Sequence, residues 1–230
     1  MPERAAELSA ALVALEQRLV AACSAAGRQR TDIVLVAVTK TRPIGDVEAL
    51  RDLGVRDIGE NRDQEAKAKA AAVPGVRWHF VGGLQTNKAR SVATYADVVH
   101  SVDRPALVDA LSAGAQRAGR SLEVLLQVSL DGDPGRGGAP PDRVPALADA
   151  AATAPGLRLL GVMAVAPLGS DPAAAFASLA QVATRVRADH PGCTAISAGM
   201  SGDLEQAIAA GATHVRVGAA LLGRRPPLDR

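Results

Sequence analysis

Aromatic side chains are scarce in this sequence of 230 residues: two Phe, one Trp and one Tyr, or 2% of the whole. With so little to stack on bases, and a formal net charge of only +2, neither nucleic acid nor a membrane surface is expected as a partner. Cysteine is nearly absent too. Cys23 falls in a predicted helix and Cys193 in a predicted strand. Neither has a CxxC partner or a histidine cluster beside it, so both read as small buried hydrophobes rather than metal ligands or a disulfide. No apolar run approaches the roughly 20 residues of a membrane span. The charged start, Met-Pro-Glu-Arg, leads into an amphipathic pattern rather than a signal core. A cytoplasmic protein is expected.

Lysine is the telling scarcity. Of 26 basic residues only four are lysine (Lys40, Lys67, Lys69 and Lys88), and the rest are arginine. Arginine can neither give up its proton in a protein nor form an imine, so a lysine retained at a chosen place can be there for its amine. Lys40 closes the run Ile33-Val-Leu-Val-Ala-Val-Thr-Lys40, whose first seven residues fit a strand covered on both faces. An ammonium beside such a run is costly unless it is paired or neutralised, and desolvation favours the neutral amine that attacks carbonyl compounds. A lysine that only snorkels outward at a strand end is the alternative. Lys67, Lys69 and Lys88 read as ordinary solvated positions.

What is present in quantity is core: 48% of residues are hydrophobic and 22% charged, enough to bury one large domain. Leu8, Leu12, Leu15, Leu19 and Ala22 recur at helical spacing, so about 4–27 is expected as a packing helix closed by Gly27. Strands are then expected at 33–39, 55–58, 76–81, 97–102, 122–130, 157–165, 193–197 and 213–217. Helices fall between them, among them 62–72, 105–118, 141–153, 172–189 and 201–210. The Gly/Pro-rich stretch 131–141 reads as a mobile loop within the repeat, and about 224–230 as a frayed tail. Eight strands alternating with helices, without a linker, predict one (β/α)8 barrel domain over 1–230.

The unusual residues fall at the carboxyl ends of the strands. Lys40 follows the first strand, Asn61 the second, Gln85 and Asn87 the third, Ser101 the fourth and Ser129 the fifth; Met163 lies near the end of the sixth, Ser201 follows the seventh and Gly218 the eighth. In a barrel these ends meet at one mouth, where active sites of this architecture sit. Ser201 is expected to open a helix, its hydroxyl and the nearby backbone N–H groups facing an anion. Gly218, before another helical turn, allows close backbone approach to an oxyanion. Taken singly, these are also an ordinary cap and an ordinary turn. An amine for an aldehyde together with a phosphate cradle describes pyridoxal 5′-phosphate (PLP). Arg216, between Val215 and Val217, could then donate to the pyridine nitrogen, and a guanidinium there leaves that nitrogen unprotonated and the ring a poor electron sink.

These segments carry a family resemblance. Leu35-Val-Ala-Val-Thr-Lys-Thr-Arg-Pro43, Gly59-Glu-Asn-Arg-Asp-Gln-Glu65, Trp78-His-Phe-Val-Gly-Gly-Leu-Gln-Thr-Asn-Lys88, His100-Ser-Val-Asp-Arg104, Gly161-Val-Met-Ala-Val-Ala-Pro167, Gly199-Met-Ser-Gly-Asp203 and Val215-Arg-Val-Gly218 run in order along nearly the whole chain. The chain resembles the pyridoxal phosphate homeostasis proteins, small relatives of the alanine racemase N-terminal barrel. The resemblance implies Lys40 as the Schiff-base lysine, Ser201 and Gly218 at the phosphate, Arg216 near the pyridine nitrogen, and Asn61 and Met163 beside the cofactor. It implies a role in vitamin B6 and amino-acid/keto-acid balance without established turnover. A monomer is expected, with PLP-dependent apo-enzymes as candidate recipients. Ala219 stands where the family usually has threonine, which removes one hydroxyl from the phosphate end. Gly83 and Arg62 depart from a usual proline and a usual aromatic. Three other readings are open: a PLP-dependent amino-acid racemase, which needs a second acid/base that Tyr95 or His79 would have to supply; a cofactor-free lysine aldolase; and a partner-binding scaffold with a vestigial pocket.

Overall fold

The computed structural model describes residues 2–223, so the expected tail at 224–230 lies outside the described residues. The element order is α1 (Pro2–Ala25), β1 (Val34–Val38), α2 (Ile44–Asp52), β2 (Asp57–Glu60), α3 (Asp63–Ala72), β3 (Arg77–Phe80), α4 (Ala89–Val92), β4 (Val98–Val102) and α5 (Pro105–Ala118). It continues with β5 (Leu122–Gln127), α6 (Val144–Thr153), β6 (Leu157–Met163), α7 (Pro172–Asp189), β7 (Ala195–Ser197), α8 (Leu204–Ala209), β8 (His214–Val217) and α9 (Ala219–Leu222). The eight strands pair in parallel in chain order, and β1 closes on β8 through Val34–His214, Leu35–Val215, Val36–Arg216 and Ala37–Val217. This is the expected barrel.

The expected apolar stripe of α1 is the face that docks. Leu8 and Leu19 are fully buried and Leu15 nearly so, packed in one cluster with Leu35, Ala37, Leu204 and Leu221. Each such leucine contributes about 2 kcal/mol on burial. Glu3–Ala25 is, by length and composition alone, long and apolar enough to cross a membrane, its most apolar 18-residue window having a mean hydropathy of 1.3, although Glu7, Glu16 and Arg18 interrupt any continuous apolar run. In the structure it lies along the barrel. Arg4 pairs with Asp46 and Arg18 with Glu205, tying the helix at its start and two turns before its end.

Strand boundaries moved where a backbone group was already engaged. Val55 was expected to begin the second strand, but its N–H donates to Leu50 O and finishes α2, so β2 starts at Asp57 and carries Glu60 within it. The stretch 131–141 is stitched down rather than free. Ala139 N donates to Gln127 O, Ser129 N to Ala139 O, and Arg136 donates to the carbonyls of Val165 and Ala166.

A parallel barrel is usually filled by Val, Ile and Leu. Here the lumen is divided. Val98, Leu125, Met163 and Ala195 form an apolar cluster. Beside it His79, His100 and His214, from β3, β4 and β8, come together with ring centroids 5.1 to 6.4 Å apart. These strands are not all neighbours, so the rings meet across the interior.

Candidate active site at the barrel mouth

The β1 strand delivers Lys40 to the mouth through a short, tightly held connection. Thr39 is fully buried, and its hydroxyl donates to Glu60 Oε1 at 2.6 Å. Lys69 Nζ donates to Thr39 O at 2.8 Å, to Glu60 Oε1 at 2.6 Å and to Glu65 Oε1 at 2.7 Å. On the other side of Lys40, Thr41 takes a left-handed backbone with φ +64°, and its N–H donates to Glu65 Oε1 at 2.6 Å. A β-branched residue avoids that region unless its surroundings impose it, and such strain collects at functional sites. Both neighbours of Lys40 are therefore pinned by one buried ionic cluster from β2 and α3. Burial raises Glu60 above the usual carboxylate range, against the opposing hydrogen bonds of Lys69 and Thr39. The expectation that Lys69 is a solvated position is overturned: its side chain is 3% exposed. Lys67 and Lys88 are exposed, as expected.

Lys40 opens on a cavity of about 440 Å³ lined by Val38, Arg42, Asn61, Val81, Ser201 and Arg216, among others. Every contributor lies at or beyond the carboxyl end of its strand. Asn61 is set by a close approach from the next strand: a Cβ on Gly82 would lie 2.4 Å from both Asn61 O and Asn61 Oδ1. Opposite, Gly218 and Ala219 begin α9, and a Cβ on Gly218 would press on Val38 O at 3.3 Å. Ser201 does not open a helix as expected. It sits in a turn, and α8 begins at Leu204 behind Asp203, whose carboxylate accepts from Met200 N at 2.6 Å. The Ser201 hydroxyl instead accepts from Ala220 N at 3.1 Å, joining the loops after β7 and β8 into one wall.

Arg216 forms the floor. The residue is 5% exposed, and its guanidinium donates to Ser197 Oγ at 2.6 Å and Ala164 O at 2.9 Å. Burial lowers it to about 10, so it stays charged at neutral pH.

The structure thus brings Lys40, Asn61, Ser201, Arg216, Gly218 and Ala219 into one cavity. It does not bring Met163, whose side chain packs at 2% exposure against Val98, Leu125 and Ala195 inside the barrel. Gln85 lines a neighbouring cavity with Lys88. Ser129 lines a smaller one with Asp131 and Arg136, and the Ser101 hydroxyl is buried within β4 without a partner. His79 is an interior wall residue, bonded to His100 and Asp57. The Tyr95 hydroxyl donates to Asp63 Oδ1 at 3.2 Å and is not among the residues lining the cavity. Burial and the Asp63 carboxylate raise that phenol far above its ordinary range. The donor set fits an aldehyde carrying a phosphate: one amine, one buried guanidinium, one hydroxyl and a backbone turn. The volume suits a small ligand.

Sequence reasoning missed the cluster that frames Lys40 and most of the lumen's polar residues. The Glu65–Lys69 spacing of four was a visible signal for the first. For the second, three of the chain's four histidines fall inside strands that should be apolar throughout.

Comparison with known proteins follows the same lines. A family profile described as "Alanine racemase, N-terminal domain" matches residues 11–226. The pyridoxal phosphate homeostasis protein of Mycobacterium bovis is 44% identical, over 97% of this chain and 95% of that protein. The protein of the same description from Escherichia coli K12 is 35% identical, over 93% and 95%. Among solved structures, PipY of Synechococcus elongatus with PLP bound superposes with a TM-score of 0.80 at 34% identity, covering 94% of this chain and all of that one.

Proposed function

Because the chain belongs to the pyridoxal phosphate homeostasis proteins, within the alanine racemase N-terminal domain family, we propose that it binds PLP at the barrel mouth, through an imine on Lys40, and serves the intracellular supply of that cofactor. The observation that carries the reading is the convergence of Lys40, Ser201 and Arg216 on one cavity from β1, β7 and β8.

When bound, PLP supplies an aldehyde carbon open to attack by an amine. Lys40 is the nucleophile, held in place by Thr39 and Thr41. The Ser201 hydroxyl and the backbone at Gly218 and Ala219 take the phosphate end; Ala219 brings no hydroxyl, so backbone N–H groups do more of this work. Arg216 donates to the ring nitrogen. A charged guanidinium keeps its proton, leaving the ring neutral and weakly electron-withdrawing, which suits holding the cofactor better than carbanion chemistry. A racemase would need a second acid/base facing the ring, and the hydroxyl of Tyr95 is spent on Asp63. The role we propose is that of a cytoplasmic, monomeric carrier without turnover of its own, with PLP-dependent apo-enzymes as recipients and a bearing on amino-acid/keto-acid balance.

Titration of the apo-protein with PLP, followed by visible absorbance and equilibrium dialysis, tests this. The Lys40→Ala variant is expected to lose the imine absorbance and at least about tenfold in affinity, while keeping weaker binding through the phosphate. Equal affinity with and without the lysine contradicts the proposal.

A further inference from the structure

A hydrogen-bonded chain leads away from the site and through the lumen. Arg216 meets Ser197 Oγ at 2.6 Å, Ser197 Oγ meets His100 Nδ1 at 2.9 Å, His100 Nε2 meets His79 Nδ1 at 2.8 Å, and His79 Nε2 meets Asp57 Oδ1 at 2.8 Å. Its members come from β8, β7, β4, β3 and β2. Asp57 begins β2, at the end of the barrel opposite the mouth, with its side chain 21% exposed; His79, His100 and Ser197 are buried.

The direction of every bond follows from the two ends. A guanidinium only donates and a carboxylate only accepts. A His79 ring that carries one proton therefore donates it from Nε2 to Asp57, and its Nδ1 then accepts. His100 Nε2–H donates to it, which leaves His100 Nδ1 to accept from the Ser197 hydroxyl, and Ser197 Oγ accepts from Arg216. One tautomer per ring satisfies the whole chain, and every donor points from the cation to the anion. Burial first, and the His79 ring next, hold His100 well below its ordinary range and so keep it neutral.

We propose that Ser197, His100, His79 and Asp57 are positioning residues for Arg216, orienting the buried guanidinium so that it presents a donor to the ring nitrogen of a pyridine aldehyde in the cavity. This rests on the reading of the site given above. The chain joins the buried cation to an anion at the far end of the barrel through aligned dipoles, which a lumen of aliphatic side chains could not do. It also accounts for histidines where the fold ordinarily places Val, Ile or Leu.

The experiment compares dissociation constants for PLP and for the carbon analogue in which C–H replaces the ring nitrogen, in the full-length wild type, Ser197→Ala and Asp57→Asn, with thermal melting followed in parallel. The wild type is expected to prefer PLP by roughly tenfold, the scale of one hydrogen bond to a charged group. Ser197→Ala cuts the chain beside Arg216 and is expected to bring that ratio close to one. Asp57→Asn, partly exposed and still able to accept from His79, keeps the fold and lowers the ratio partway. A purely structural role would weaken both ligands equally. Variants that retain the tenfold preference overturn the relay while leaving the reading of the site intact; a wild type with no preference removes Arg216 from the ring nitrogen and overturns both.

Discussion

The amine of Lys69, buried against Glu60, Glu65 and the Thr39 carbonyl, decides how firmly its neighbour Lys40 is held. Lys69→Met keeps the apolar stem and removes the ammonium, which leaves a buried carboxylate without its counter-ion. Breaking such a pair is worth about 3–5 kcal/mol, and that loss is expected in urea unfolding at pH 7. A variant within about 1 kcal/mol of the wild type, the size of an exposed pair, contradicts the arrangement. Lys40 was legible in the sequence because an apolar strand with a terminal amine, in a chain that otherwise uses arginine, has few explanations. Lys69 was not. Gln-Glu-Ala-Lys-Ala-Lys-Ala has helical propensity throughout and no apolar stripe to fix its phase, and the spacing of four that joins Glu65 to Lys69 joins Asp63 to Lys67 as well, so the signal did not tell the exposed Lys67 from the buried Lys69. Ser201 was read as opening the helix because serine is a good capping residue after a strand, but Asp203, equally suited by type, takes that position. Met163 was placed beside the cofactor by the family resemblance, not by the strand pattern. The strand stops at Met163, with the side chain packed in the lumen.

Among the strands, the placing of three histidines in one interior layer ties stability to pH. His214 is lowered to about 4, by burial first and by the His79 ring next, and His100 lies well below its ordinary value. In the unfolded chain both take up a proton near pH 6.5. Between that pH and their folded values the unfolded state binds more protons, so stability falls as the solution is acidified through this window. For His214 the loss is about 3 kcal/mol by pH 4. Urea midpoints measured from pH 7 down to pH 4.5 are expected to fall steadily, and less steeply in His214→Asn, which has nothing to titrate there. A flat profile, or identical slopes, contradicts the assignment. The elements themselves were largely legible. α5 and α7 fall where Pro105 and Pro172 predict their starts, since a proline in the first turn and apolar periodicity agree. Strand ends were less so, because a backbone N–H such as that of Val55 can complete a helix as readily as begin a strand.

For the molecule as a whole, the closed parallel barrel turns eight separate loops into one rim, and this is why residues from 40 to 219 share a cavity. The alternation of strand and helix made that architecture legible, and with it the mouth. The lumen was not legible, because strand periodicity shows that a side chain turns inward without showing what it meets across the barrel. The central claim is that the Lys40 amine holds the aldehyde of PLP at this rim. Its most direct measurement is borohydride reduction of the PLP-loaded protein, followed by peptide mapping by mass spectrometry. The account predicts one pyridoxyl group, on Lys40. Modification confined to Lys67, Lys69 or Lys88, or no reducible adduct at all, would contradict it.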